Sequence, residues 1–225
     1  MALSTNLLAY WKLDESSGDA ADATGNGYTL TNNNSVGYAA ALINNGADFG
    51  ATDNHSKYLY TNTPPTIPTA GAFSISLWVK IRTAPAINQE RSIFSYSKAY
   101  DSKIDINDYS DGTYRYIRVM TEGSDRKYKH TLSTSSFTHI VVTYPSSGDG
   151  KLYINGTYVY SLGRAGSLSG GNAMYLGTQL SCYIDEVGAW NKELTEAEVT
   201  ELYNGGLGLA YPFPNVSTNN FFQLF

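Results

Sequence analysis

The residues most able to do chemistry in this sequence are tyrosines that alternate with aliphatic residues in short segments. Within residues 151–161, the pair Asn155-Gly156 predicts a two-residue hairpin turn, because both residue types tolerate positive φ. Such a turn pairs Tyr153 with Tyr158, and Lys151 with Tyr160. These four side chains are predicted to share one face of the hairpin, and the aliphatic residues between them face the core.

A second tyrosine pattern runs through residues 113–120. Tyr114, Tyr116 and Arg118 are predicted to share one strand face, with Ile117 and Val119 on the opposite face. An exposed tyrosine offers a flat apolar ring and one polar hydroxyl, which suits stacking on sugar rings. Each single tyrosine is also an ordinary strand residue. As a set, the two patterns predict a ligand-binding surface formed by Tyr153, Tyr158, Tyr160, Tyr114, Tyr116 and Arg118.

Acid–base catalysis is the alternative chemistry. Asp185 and Glu186 are adjacent, so a regular strand would point them to opposite faces. The three histidines are scattered, and none forms a nucleophile–base motif. The aspartates between residues 101 and 111 lack the spacing of an EF-hand loop and are interpreted as solvated loop acids. The sequence therefore favours a protein that is not an enzyme.

Composition excludes several classes of partner. The net charge of −5 argues against nucleic acid, whose binding depends on clustered Lys and Arg. No apolar run is long enough for a membrane span, and the single cysteine, Cys182, excludes an internal disulfide. Residues 1–10 do not resemble a signal peptide. We therefore expect a signal missing from this sequence, or another route out of the cell, such as virion assembly followed by lysis.

Many short strands must position these side chains. Phe73 to Ile81 is the clearest, with five large apolar residues on one face by alternation. Further strands are predicted at residues 7–13, 28–30, 92–97, 103–107, 113–120, 137–144, 173–177 and 182–190. Strands that recur about every ten residues, with turns between them, predict an all-β fold of two antiparallel sheets packed as a sandwich.

One short helix is predicted near the C-terminus. Thr195 and Glu198 have the spacing of a capping box, and Gly205-Gly206 supplies a stop. Residues 212–225 differ from the rest, because two prolines favour extended backbone and the last residues are strongly apolar. This tail either folds back on its own sandwich or docks into an assembly partner.

Seven segments, in chain order, resemble the laminin-G-like domains of the concanavalin A-like lectin/glucanase family. They are residues 8–18, 21–27, 46–49, 73–80, 137–144, 151–156 and 183–206, of which the last is the most specific. The resemblance covers roughly residues 7 to 211. It implies a jelly-roll sandwich domain over residues 1–211, followed by an extended tail over 212–225.

The resemblance also implies a calcium ion at the rim of the sandwich. Its positions match Asp22 and Asn26 in one loop, and Asp185 in the last strand. Calcium takes six to eight oxygen ligands from carboxylates, amides and backbone carbonyls. Asp and Asn are also ordinary turn formers, so both interpretations of the loop stay open.

The function expected from these features is non-catalytic recognition or adhesion, with a glycan or a protein surface as partner. Its setting is expected to be a virion surface, as in a phage decoration or fibre protein, or the outside of a cell. A bacterial secreted or cell-surface adhesion domain is one alternative. The other is a polysaccharide hydrolase whose carboxylate pair comes from separate strands.

Overall fold

The computed structural model describes residues 3–51, 56–67, 71–83, 89–98, 101–121, 124–164 and 172–214. Within these ranges the strands form two antiparallel sheets of eight and seven strands. The eight-stranded sheet contains β1 (Leu7–Trp11), β3 (Gly37–Ala40), β4 (Asn45–Asp48), β6 (Phe73–Ile81), β11 (Thr138–Tyr144), β12 (Gly150–Ile154), β13 (Thr157–Gly163) and β15 (Cys182–Trp190). The seven-stranded sheet contains β2 (Thr31–Asn33), β5 (Tyr58–Thr61), β7 (Glu90–Lys98), β8 (Asp101–Ser110), β9 (Arg115–Thr121), β10 (Ser124–Lys129) and β14 (Ala173–Leu176).

The order of the strands makes β6 and β15 central in one sheet and β7 and β8 central in the other. The eight-stranded sheet runs β13-β12-β11-β6-β15-β4-β3, with β1 paired to β15. The seven-stranded sheet runs β10-β9-β8-β7-β14-β5-β2. Alternate residues such as Leu77, Ile140 and Ile106 are fully buried between the sheets. The predicted all-β sandwich is confirmed, and β6 has the predicted bounds.

The predicted helix is also confirmed, as α1 (Glu196–Tyr203). The Thr195 hydroxyl accepts from the Glu198 backbone N–H at 3.3 Å, and the Glu198 carboxylate accepts from the Thr195 N–H at 2.9 Å. This capping box satisfies N–H groups that the first turn of any helix leaves without partners. Val199 and Leu202 bury the apolar side of α1 against the outer face of the eight-stranded sheet.

The C-terminal segment packs on the same outer face. Phe213 is only 6% exposed and lies against Trp190 and Tyr10, with ring centroids 6.4 and 5.2 Å away. Tyr211 stacks on Tyr10 at 5.3 Å. The chain therefore folds back on its own sandwich at least to Phe213, beyond the predicted boundary at residue 211. The rest of the tail for which docking is predicted, residues 215–225, lies outside the described residues.

The aspartates of β8 correct the interpretation of residues 101–111. Asp105 and Asp108 lie within the strand and are buried, so they are not solvated loop acids. The Asp108 carboxylate accepts from the Arg115 guanidinium at 2.6 Å, and this pairing is what allows a charged group to be buried there. Among the described residues, no helix is both long and apolar enough to cross a membrane.

Candidate functional site

The seven-stranded sheet has one face in the core and one face that no described helix covers. Along β8 and β9 the core side is aliphatic, whereas the residues between are polar or aromatic. We call the uncovered surface the open face. By register, it carries Tyr58, Tyr60, Tyr175, Glu90, Ser92, Ser95, Asp105, Asn107, Tyr109, Tyr116, Arg118, Met120, Asp125, Lys127 and Lys129.

Arg118 organises the polar groups of the open face. Its Nε and Nη2 donate to the two carboxylate oxygens of Asp125 at 2.9 and 2.8 Å, and its Nη1 pairs with Glu90. Asn107 Nδ2 donates to the second Glu90 oxygen at 2.5 Å. The hydrogen bonds from Arg118 lower the pKa of Asp125. The Arg118 guanidinium thus holds both carboxylates in fixed positions.

Tyrosine rings and cations alternate beside this network. Lys127 Nζ lies 4.3 Å from the ring centroid of Tyr109, and Lys129 Nζ lies 3.3 Å from that of Tyr114. The Tyr109 and Tyr116 rings are 6.0 Å apart. Cation–π contacts of this kind hold both partners in place. We call Tyr109, Tyr114, Tyr116, Arg118, Lys127 and Lys129 the tyrosine–cation patch.

The turn between β8 and β9 fixes the exposed end of this patch. Asp111 Oδ1 accepts from the backbone N–H groups of Thr113 and Tyr114 at 2.8 and 2.7 Å. Its other oxygen accepts from the Tyr116 hydroxyl at 2.9 Å. These hydrogen bonds lower the pKa of Asp111 and raise that of Tyr116. Tyr114, although 46% exposed, is therefore anchored by its own backbone.

A second tyrosine group on the open face was not predicted. Tyr60 and Tyr175 are cross-strand neighbours whose rings lie 6.1 Å apart and nearly parallel, and Tyr58 packs edge-on against both. We call these three residues the tyrosine triad. Its signal was present in the sequence, since Tyr58-Leu59-Tyr60 alternates as a half-buried strand does.

The hairpin tyrosines do not join this surface. Tyr153 is only 2% exposed, because Val199 and Leu202 belong to the apolar cluster that covers it. Its prediction as an exposed ligand-binding residue is therefore wrong. Tyr158 pairs with Tyr153 as predicted and is 46% exposed, but it lies on the eight-stranded sheet.

A β-bulge changes the other predicted pair of the hairpin. Val159 is an extra residue in β13, so Leu152 pairs with Tyr160 and Lys151 pairs with Ser161. Cross-strand partners share a sheet face, so Tyr160 lies on the side of Leu152 and not with Tyr153. Its ring is 5.8 Å from that of Tyr128 in β10, at the seam between the sheets. Of the six predicted residues, the structure brings together Tyr114, Tyr116 and Arg118.

The three predicted calcium ligands have other partners. The Asp22 carboxylate accepts from the backbone N–H groups of Tyr10, Thr24 and Tyr28, which ties its loop to β1. Asn26 Nδ2 donates to the Leu8 carbonyl. Asp185 Oδ2 accepts from two backbone N–H groups of the 42–43 loop at 3.0 Å.

Both oxygens of Asp22 and one oxygen of Asp185 thus already accept hydrogen bonds from backbone N–H groups. In the described part of the chain no group of three or more His, Cys, Asp or Glu residues is placed to hold a metal ion. Calcium binding itself stays a prediction, which thermal unfolding with calcium and with a chelator tests.

The prediction that Asp185 and Glu186 point to opposite faces of a strand is wrong. A bulge between Asp185 and Gly188, with Glu186 at φ 48°, places both acids on the outer side of β15. Asp185 pairs with Trp78, and Glu186 accepts from the Tyr10 hydroxyl at 2.5 Å. Burial raises the pKa of Asp185 to about 7 and that of Glu186 to about 8. Both side chains are buried beyond the reach of a substrate.

His139 is likewise structural. It is fully buried, hydrogen-bonded to the Ser76 hydroxyl at 2.9 Å, and stacked on Trp78. Burial lowers its pKa to about 3, so it stays neutral at physiological pH. Its hydrogen-bond partner, Ser76, is buried as well.

Two packed antiparallel sheets with one open, aromatic face define a lectin-like β-sandwich. A family model described as the concanavalin A-like lectin/glucanases superfamily matches residues 50–200. Because the match spans more than half of the 225 residues, the chain belongs to this superfamily. A search of curated proteins finds no match.

Solved structures with the same fold include receptor-binding domains of toxins. The binding domain of Paraclostridial Mosquitocidal Protein 1 has a TM-score of 0.72 at 16% identity, covering 90% of this chain and 52% of that one. The botulinum neurotoxin serotype G binding domain has a TM-score of 0.68 at 17% identity, covering 88% and 50%. The binding domain of botulinum neurotoxin DC, in complex with rat synaptotagmin II, has a TM-score of 0.70 at 14% identity, covering 92% and 52%. The chain thus spans about half the length of these structures, and the likeness is one of fold.

Proposed function

We propose that this chain is a carbohydrate-binding module whose ligand lies on the open face, against the tyrosine–cation patch. The observation that carries the proposal is the fixed alternation of tyrosine rings and cations on an uncovered sheet face. Sugar rings stack their C–H faces on aromatic rings, while their hydroxyls need nearby donors and acceptors. Arg118 and Glu90 supply those groups beside the rings, and the buried Asn107 amide supports Glu90.

Preorganisation supports the same proposal. The Arg118 guanidinium is held by two carboxylates, and Tyr114 is held by the Asp111 turn. Side chains that are already ordered lose little conformational entropy when a ligand binds. A surface built this way suits a weakly hydrophobic, hydroxyl-rich ligand better than a purely apolar one.

The acids of the open face support binding and not hydrolysis. A retaining glycosidase needs two carboxyl groups about 5–5.5 Å apart, one of them protonated at working pH. Asp125 is held ionised by Arg118, and Glu90 is paired with the same guanidinium. Asp185 and Glu186, whose pKa values are raised, are buried in the other sheet.

A protein surface is the second candidate ligand. It is favoured by the neighbour solved in complex with rat synaptotagmin II, which shares this fold. Periodate oxidation of a bound cell surface separates the two, because it destroys sugar diols and leaves the protein in place. We expect binding to be lost after periodate. For either ligand, the setting proposed is outside the cell or on a virion surface.

The direct test is a glycan array with a matched pair of variants. Tyr114 and Tyr158 are both 46% exposed but lie on different sheets. Tyr114→Ala is expected to weaken glycan binding at least about fivefold, because removing an aromatic anchor costs more than about 1 kcal/mol. Tyr158→Ala is expected to bind as the unmodified protein does. An array without hits, or equal losses in both variants, would overturn the proposal.

A further inference from the structure

We infer that the tyrosine triad is a second subsite of the open face, and that the ligand is a neutral, linear oligosaccharide reaching from the triad to the tyrosine–cation patch. This inference rests on the proposed function and adds the size and charge class of the ligand.

Register places the triad and the patch on one continuous surface. Tyr60 pairs with Tyr175, Tyr175 with Ser95, and Ser95 with Asp105. Asp105 in turn pairs with Met120 of β9, the strand that carries Tyr116 and Arg118. Because cross-strand partners share a face, every member of this row points to the same side of the sheet. A ligand can therefore contact both groups without passing an edge.

The triad has the features of an aromatic subsite. Its three rings are half-buried and support one another at centroid distances of 5.5 to 6.1 Å. Core packing does not require them, because the residues beside them in the strands, Leu59 and Leu176, already fill the core side. Within the described residues no hydrogen bond involves the three hydroxyl groups, so they are available to a ligand.

The separation of the two groups sets the length of the ligand. Tyr175 and Tyr109 are two strands apart across the sheet and about four residues apart along it. With strands about 4.8 Å apart and a rise of about 3.3 Å per residue, this is roughly 15 to 20 Å. No single sugar ring spans that distance. By register, Ser92 and Ser95 of β7 lie between the two groups, and both are half-buried residues with short side chains.

Charge decides the chemical class of the occupant. Among the described residues, Asp105 is buried, and the half-buried and exposed charges of the open face and its turn balance: they are Arg118, Lys127 and Lys129 against Glu90, Asp111 and Asp125. None of the cation–π contacts among the described residues involves the triad. A polyanion or a strongly basic peptide would meet like charge on this surface, whereas a neutral oligosaccharide would not.

The test is binding to an array of neutral linear oligosaccharides of one to six sugar units. The unmodified protein is expected to bind the longest chains at least about tenfold more strongly than the disaccharides, because two linked contacts reinforce each other. The double variant Tyr60→Ala, Tyr175→Ala is expected to lose this advantage. The variant Tyr60→Phe, Tyr175→Phe keeps the rings and is expected to retain more of the advantage than the alanine pair. Circular dichroism and thermal unfolding of each variant check that it folds.

The outcomes separate the two proposals. If glycans bind but chain length makes no difference, or if the alanine pair binds long chains normally, the second subsite is overturned and the patch stands. Preference for acidic over neutral chains would also overturn it. If no glycan binds at all, the proposed function fails and the inference fails with it.

Discussion

Both sheets of the sandwich are antiparallel and bury one face in the shared core, but their outer faces differ in what covers them. On the eight-stranded sheet, α1 and the C-terminal segment bury Tyr10, Val141, Tyr153 and Trp190 under a second apolar cluster. On the seven-stranded sheet, the corresponding surface carries tyrosines, ion pairs and serines, and the described α-helix does not cover it. A tyrosine on an alternating strand can thus be core or binding surface. Among the described residues, the segment that follows β15 packs on the eight-stranded sheet, and this cover is what buries Tyr153.

The largest expected effect is a difference in stability between variants of Tyr153 and Tyr114, two tyrosines that strand alternation predicts to be equally exposed. Tyr153→Ala removes a ring buried under α1 and should destabilise the protein by about 3 kcal/mol, as other buried aromatic truncations do. Tyr114→Ala removes an exposed ring and should change stability by less than about 0.5 kcal/mol. Urea unfolding of both variants measures the difference.

Glycan binding of the same two variants should show the reverse order. Tyr114→Ala weakens binding, whereas folded Tyr153→Ala keeps it. If both variants unfold at the same urea concentration, the distinction between a covered and an open face is wrong.

The covered face should also make stability depend on pH through Glu186. Burial raises its pKa to about 8, against 4.5 for an ordinary glutamate. The unfolded chain therefore ionises first, and the stabilisation present below about pH 4.5 is lost as pH rises to 8. The charged groups that act on Glu186 are Asp185, Asp14 and Lys12. The pKa of Asp185 is raised as well, so Asp185 adds a pH dependence of the same sign.

Glu186→Gln tests this dependence. We expect the unmodified protein to lose on the order of 2 kcal/mol more than the variant between pH 5 and pH 8. Urea unfolding at several pH values measures both slopes. Parallel slopes would mean that Glu186 is ionised in the folded protein.

Much of the fold could be predicted because it depends on local pattern. Alternation located β6 and β15, Asn155-Gly156 located the hairpin turn, and Thr195 with Glu198 located the helix start. β10 was missed because its exposed edge carries Asp, Arg and Lys and has little apolar alternation.

The candidate site could be predicted only in part. Alternation along β9 put Tyr116 and Arg118 on one face, and Tyr114 joins them through its contact with Lys129. The bulges at Val159 and Glu186 broke the alternation on which the other assignments depended. Burial of Tyr153 depends on a helix more than forty residues later in the chain, and strand pattern carries no information about that contact.

A smaller effect on stability is expected at the start of α1, the helix that covers part of the eight-stranded sheet. Thr195→Ala removes the capping hydroxyl of α1 and should cost about 1 kcal/mol, since caps of this type contribute about that much. Thr200→Ala is the matched control, because Thr200 is exposed on the same helix and its hydroxyl donates to the Glu196 carbonyl without capping the helix. Thermal unfolding compares the two. Equal losses of stability in the two variants would show that the capping box does not stabilise α1.

The smallest effect on the free energy of unfolding is expected for Asp125, on the open face. Its side chain is 50% exposed, and its pair with Arg118 is screened by solvent, so Asp125→Asn should cost less than about 1 kcal/mol at pH 7. The Arg118 contact lowers the pKa of Asp125, so this contribution is present above the ordinary aspartate pKa and disappears as pH falls. The sign is opposite to that of Glu186, because one acid is paired in solvent and the other is buried. Urea unfolding at pH 7 and at pH 3 measures it. A loss of several kcal/mol at pH 7 would mean that the Arg118 network is part of the structural core, and the open face would then no longer be a surface held ready for a ligand.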